Sequence, residues 1–203
     1  MTSHSISSCA PQGVCPWWLA YTFDNPVRRL IHRPQKVLGN YVKEGMTVID
    51  LGCGMGHFSI GMAGLVGSTG KVIAVDLQQK MLDIMSKRAR RAGMAGRIDP
   101  RLSRADDIGL EDPADFILAF WMVHEVPDQQ KFFNHLKTLL ISEGRILIAE
   151  PKMHVTAEDL KRTLGVAQSC GLQCIEKPDI SFSRTALLGP GSLPSGFLNQ
   201  PQA

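Results

Sequence analysis

Three glycines at alternate positions, Gly52, Gly54 and Gly56, follow a run of apolar residues, and an acid, Asp76, lies twenty residues beyond the last of them. The chemistry such a set can do is the holding of a ligand. Val48-Ile49-Asp50-Leu51 reads as a buried strand, and the glycines let the main chain turn sharply into a helix and approach a ligand where a Cβ would collide. Lys71-Val72-Ile73-Ala74-Val75 reads as the next strand, and Asp76 at its end can accept both hydroxyls of a ribose. The pair of signals points to a nucleotide-like cofactor.

The spacing narrows the choice. G-x-G-x-G is not the G-x-G-x-x-G expected where a helix N-terminus receives a pyrophosphate, and Asp50 beside the loop would repel a phosphate but welcome an ammonium group. With these residues the chain resembles the class I S-adenosylmethionine-dependent methyltransferases of the small methyltransferase-domain kind, over roughly residues 26–188. The resemblance implies S-adenosyl-L-methionine as cofactor and S-adenosyl-L-homocysteine as product. It also implies cofactor contacts from Asp50, Gly52, Cys53, Gly54, Gly56 and Asp76, with Leu77 and Met81 flanking the cofactor. Ala105 and Asp106, after the third strand, would lie at the adenine amino group, with Asp106 as its acceptor.

Methyl transfer from a sulfonium needs two positioned reactants and, for some nucleophiles, removal of a proton. The fourth strand ends in Phe120-Trp121-Met122-Val123-His124-Glu125, at the edge where open α/β sheets bind ligands. Phe120 and Trp121 can offer aromatic faces to the positive sulfur, and core packing explains each equally well. His124 can act as general base with Glu125 orienting it, or as a structural histidine bonded to the backbone. His154, after the fifth strand, brings a second histidine to the same edge, and Glu125 and His154 are candidates for the substrate pocket.

Two absences bear on the acceptor. No Asn/Asp-Pro-Pro-aromatic tetrad follows the fourth strand; in the family that the chain resembles this tetrad marks methylation of exocyclic amines of bases or of glutamine, so the resemblance implies that those acceptors are disfavoured. No acid ends that strand as in the magnesium-dependent catechol type, so a metal-free site is expected. Cys9 and Cys15 offer a weak parallel to the arsenic methyltransferases, while Cys53 needs only to be small in the cofactor loop.

The elements that must position these residues alternate from Met46 onward. Strands are expected at about 46–51, 71–76, 97–102, 115–121 and 145–150, with helices at about 56–66, 79–92, 129–141 and 156–170. Continuously apolar strands alternating with helices mean an α/β fold with a parallel sheet covered on both faces. Two further strands, about 172–177 and 182–188, are too close for a crossover and should pair antiparallel. The expected architecture is a Rossmann-like three-layer sandwich: a mostly parallel seven-stranded sheet closed by that C-terminal hairpin, with N-terminal helices.

Residues 1–45 form the N-terminal part. Trp17, Trp18 and Tyr21 are candidates for an acceptor-pocket lid, or for docking onto the domain. Asp24-Asn25-Pro26 marks a helix start, and Pro34 starts a second helix ending at Gly45 with Val37, Leu38, Tyr41 and Val42 on one face. Residues 46–188 form the cofactor-binding domain, and 189–203, rich in Gly, Pro, Ser and Gln, read as a disordered tail.

At 203 residues with 44% apolar content, the chain suits one soluble domain, without a membrane-spanning run or a leader pattern, so a cytoplasmic location is expected. Its five cysteines form no C-x-x-C pair, which argues against both a disulfide framework and a structural zinc. The net charge is only +3, and the basic residues between Lys80 and Arg104 read as a solvated face, which makes nucleic acid a minor partner class. A small-molecule methyl acceptor is the leading partner. Alternatives are RNA or protein methylation, a cofactor-binding module without catalysis, and a nicotinamide-dependent oxidoreductase. The oligomeric state stays open, a homodimer included.

Overall fold

The computed structural model describes residues 30–104 and 106–191. Its centre is a seven-stranded sheet in the order β3-β2-β1-β4-β5-β7-β6. In chain order the strands are β1 (Thr47–Leu51), β2 (Lys71–Asp76), β3 (Ile98–Leu102), β4 (Ala114–Phe120), β5 (Leu140–Pro151), β6 (Leu172–Glu176) and β7 (Ser183–Pro190). The first five are parallel, and β7 pairs antiparallel with both β5 and β6. The expected sandwich with its antiparallel closing hairpin is the observed fold.

Both faces are covered, which is why the strands carry apolar residues at odd and even positions alike. Val48, Val72, Ala74, Phe116, Leu118 and Leu147 pack with Leu38, Met62 and Met85 on one face. That face holds helices α1 (Pro34–Leu38), α2 (His57–Leu65) and α3 (Gln79–Arg91). Ile49, Ile73, Ile117, Ile146 and Ile148 pack on the other with Phe133 and Leu136 of α4 (Gln129–Leu139) and Ala167 of α5 (Ala157–Ser169). A capping box between Thr156 and Asp159 starts α5, as its sequence suggests.

The sequence boundaries shift in four places. The helix from Pro34 ends at Leu38, not Gly45, because the poor helix formers Gly39 and Asn40 interrupt it. Tyr41 and Val42 continue as a turn on the Leu38 carbonyl, and the Tyr41 hydroxyl donates to Glu176 Oε1 at 2.7 Å. Burial, with Glu176 beside it, pushes that hydroxyl's pKa up to about 12. Helix α4 stops at Leu139 and β5 begins at Leu140, which pairs with Ala114 across an irregularity in the ladder. Strand β7 runs to Pro190, so the expected tail loses its first residues to the sheet. Trp121, expected inside the fourth strand, lies just beyond it.

The order places the switch point of the sheet between β1 and β4. Asp76 ends β2, the glycine turn follows β1, Trp121 follows β4 and Glu150 lies near the end of β5, all at the carboxyl edge. Ligands of open α/β sheets bind at such an edge.

Candidate active site

The three glycines all have left-handed φ, +67° at Gly52, +51° at Gly54 and +81° at Gly56, but differ in what a side chain would meet. At Gly56 a Cβ would lie 2.2 Å from Met85 Cγ, so this glycine lets the turn pack on α3. At Gly52 it would come within 3.2 Å of Met122, the residue after Trp121. At Gly54 it would meet nothing within 4 Å among the described residues, so they leave open space beside that stretch of main chain.

Asp76 is fixed at the edge of that space. Its Oδ2 accepts from Gly54 N–H at 2.8 Å and its Oδ1 from Gln78 N–H at 2.9 Å. Each carboxylate oxygen has a second lone pair beyond these bonds. Burial holds the Asp76 pKa above its ordinary value, and the backbone N–H groups offset only part of that rise. Asp50 is 2% exposed and accepts from Ser59 Oγ, so it ties the turn to α2. Burial, followed by the charges of Asp50 and Asp76, pushes the Cys53 thiol well up, which makes it a small neutral spacer.

A second constellation lies across the switch point. Glu150, 2% exposed, accepts from Val123 N–H through Oε1 at 2.9 Å and from His124 N–H through Oε2 at 3.3 Å. The same Oε2 is hydrogen bonded to His124 Nδ1. With Glu150 ionised, Nδ1 carries the proton and neutral His124 presents Nε2 as an acceptor. That hydrogen bond raises the His124 pKa above its ordinary value, against the pull of partial burial. Glu125 stands farther off, its Oε1 4.0 Å from Nε2, so Glu150 is the carboxylate that orients the ring. His154 stacks on His124 with ring centres 6.2 Å apart.

Aromatic residues wall the same edge. Trp121 has φ 61° and Phe182 has φ 59°, the left-handed region that bulky residues rarely occupy. Ser183 joins them: it follows Phe182 in sequence, and its Oγ accepts from Trp121 Nε1–H at 2.9 Å. Buried His32 meets Phe120 and Trp121 edge-on at 5.2 Å and 5.4 Å, and donates through Nε2 to the Ser181 carbonyl at 2.8 Å.

The remaining candidates scatter. Leu77 is 38% exposed beside Asp76, whereas Met81 is a core residue. Phe120 is 5% exposed within the cluster of Phe58, His32 and Trp121. Asp106 stands on an exposed loop, its carboxylate on Arg104, which holds its pKa below the usual range. That loop is tied to β2 by Ser103 N–H donating to the Asp76 carbonyl at 3.0 Å. Ala105, Trp17, Trp18 and Tyr21 lie outside the described residues. Glu150, Ser183 and His32 were not singled out by sequence reasoning, although an acid closing the apolar run Ile146–Ala149 is itself a signal.

A glycine turn after β1, an acid closing β2 and a 3-2-1-4-5-7-6 sheet define the fold of class I S-adenosylmethionine-dependent methyltransferases. The family model described as "Methyltransferase domain" matches residues 42–179, and the chain belongs to that family. Among relatives, the ubiquinone/menaquinone biosynthesis C-methyltransferase of Escherichia coli is 30% identical over 110 residues, covering 54% of this chain and 44% of the relative. Its Haemophilus ducreyi counterpart is 29% identical over the same length, covering 54% and 42%. The chain thus spans less than half the length of these curated relatives. A crystal structure of an S-adenosylmethionine-dependent methyltransferase from Aquifex aeolicus superposes with a TM-score of 0.77 at 24% identity, covering 86% of this chain and 98% of that one.

Proposed function

We propose that this chain methylates a small-molecule acceptor at the β4–β5–β7 edge, in a site without a metal, with His124 as general base positioned by Glu150. The observation that carries the reading is the pair of adjoining constellations, one fitted to the cofactor and one able to take a proton. When bound, S-adenosylmethionine supplies a methyl group already activated on a sulfonium centre. Open space over Gly54 and the Asp76 carboxylate at its border fit the main-chain and ribose contacts such a cofactor needs. Asp106 would reach the adenine amino group only by leaving Arg104.

His124 Nε2 takes the acceptor's proton while Nδ1–H stays on Glu150, so the charge formed on the imidazole lies against a buried carboxylate. Trp121 and Phe120 supply the aromatic wall of the reacting region. No group of three or more His, Cys, Asp or Glu is placed to hold a metal ion among the described residues. The curated relatives are named as C-methyltransferases of quinone biosynthesis, and methylation at carbon beside an acidic hydroxyl is a reaction that such a base assists.

Methylation of RNA has less support. Arg88 and Arg97 of the basic stretch donate to the Met55 and Ala63 carbonyls, and Arg101 and Arg104 face Asp99 and Asp106. No helix among the described residues is long and apolar enough to cross a membrane. The test is release of S-adenosylhomocysteine with panels of small phenols, thiols, amines and carbon acids, and with RNA. Turnover on a small molecule that falls at least about tenfold in His124→Ala supports the reading. Turnover on RNA alone would contradict it.

A further inference from the structure

A cleft of about 230 Å³ is lined by Lys152, Ala157, Leu160, Lys177, Arg184 and Thr185, and its Arg184 is paired across the sheet with Glu150. Three of these six carry positive charge and none carries negative charge. Among the described residues none of the three cations is in an ion pair. Arg184 donates from Nε to the Val155 carbonyl at 2.8 Å, which leaves its remaining guanidinium donors for other partners. Thr185 gives its hydroxyl to the Pro178 carbonyl. Asp159 also feels Arg184, but its carboxylate is already engaged by Thr156 and Arg162.

The place of the cleft matters as much as its charge. Arg184 is the cross-strand partner of Glu150, and Ser183 of Pro151, so the cleft begins about one strand spacing, ~4.8 Å, from the backbone of the positioning acid. Lys152 N–H donates to the Phe182 carbonyl at 2.9 Å, which joins the basic cleft to the aromatic rim. On that rim Phe182 is 61% exposed, and Met153, next to Lys152 in sequence, is 89% exposed. Like charges gathered round one cavity repel, and an oxyanion entering it replaces that repulsion with charge-assisted hydrogen bonds.

We infer that the methyl acceptor is an amphiphilic anion, its carboxylate or phosphate seated among Lys152, Lys177 and Arg184 and its apolar body against Phe182 and Met153. The inference rests on the methyl-transfer reading of the same edge and adds the acceptor's chemical class. A cleft of this size takes one oxyanion, not a track of backbone phosphates.

The test titrates the full chain, loaded with S-adenosylhomocysteine at constant ionic strength, with benzoate, phenyl phosphate and uncharged benzamide. At least one anion should bind tenfold or more tighter than benzamide, and the stronger of the two tells carboxylate from phosphate. The advantage should vanish in the double variant Lys177→Gln/Arg184→Gln. Should that variant not fold, Lys152→Gln at an exposed position should still weaken the preferred anion about threefold. Equal affinity for all three probes, or an advantage that survives the substitutions, overturns the inference. Binding of S-adenosylhomocysteine is measured separately. If it binds without anion discrimination, the acceptor class is wrong and the methyltransferase reading stands. If it does not bind, both fall.

Discussion

The two halves of the site are built differently. On the β1–β2 side the groups that hold the key acid are main-chain donors: Gly54 N–H and Gln78 N–H both bond the Asp76 carboxylate. On the β4–β5–β7 side side chains also bond one another, His124 to Glu150 and Trp121 to Ser183, the latter pair 62 residues apart. A cofactor common to a whole class of enzymes can be held by backbone geometry, which tolerates change in the side chains. On the proposed reading the acceptor is met by side chains of the other half.

The contrast can be broken most forcefully within the glycine turn. Gly56→Ala should destabilise the fold by about 3–4 kcal/mol, because left-handed strain adds to overpacking against Met85. Gly54→Ala, with open space over it, should cost only about 1 kcal/mol of strain. Denaturant unfolding of the two variants measures the gap, and equal losses would mean that the glycines act alike. Next in size, Asp76→Asn should weaken S-adenosylhomocysteine by about 3 kcal/mol, roughly a hundredfold, since on the proposed reading two ribose hydroxyls lose a charged acceptor. Calorimetry reads it, and His124 should titrate as before.

The acceptor half should respond to Glu150→Gln. Because Glu150 raises the His124 pKa above 6.5, the protonated form is the one that the fold favours. The stability from that pair is complete below pH 6.5 and is lost as pH rises through the raised value. Catalysis runs the other way: neutral Nε2 is needed, so the rate climbs through the same raised value. In Glu150→Gln the climb should move to lower pH while the plateau falls about a hundredfold, and a pH–rate profile shows both. The smallest effect belongs to Ser183→Ala, which removes the Trp121 indole bond and should cost about 1 kcal/mol in thermal unfolding.

This division also explains what was legible in the sequence. Alternating apolar strands and helices, the glycine spacing and Asp76 follow from local pattern, and the sheet order agrees with the fold they imply. His124 was visible as a titratable residue at a strand end, but its partner was not. Glu125, adjacent in sequence, was the natural choice, whereas the sheet puts Glu150 beside it because β4 and β5 are parallel neighbours. The left-handed backbone of Trp121 and Phe182 had no local signal, since neither is glycine or asparagine and both are held by contacts across strands.

Calorimetric titration with S-adenosylhomocysteine, with NADH alongside, on the wild type, Asp76→Asn and Glu150→Gln tests the two-part site most directly. We expect micromolar binding of S-adenosylhomocysteine by the wild type and by Glu150→Gln, its loss in Asp76→Asn, and none of NADH. Failure of the wild type to bind, or NADH binding in its place, would contradict the cofactor half. Loss of binding in Glu150→Gln would show that the two halves are not separable.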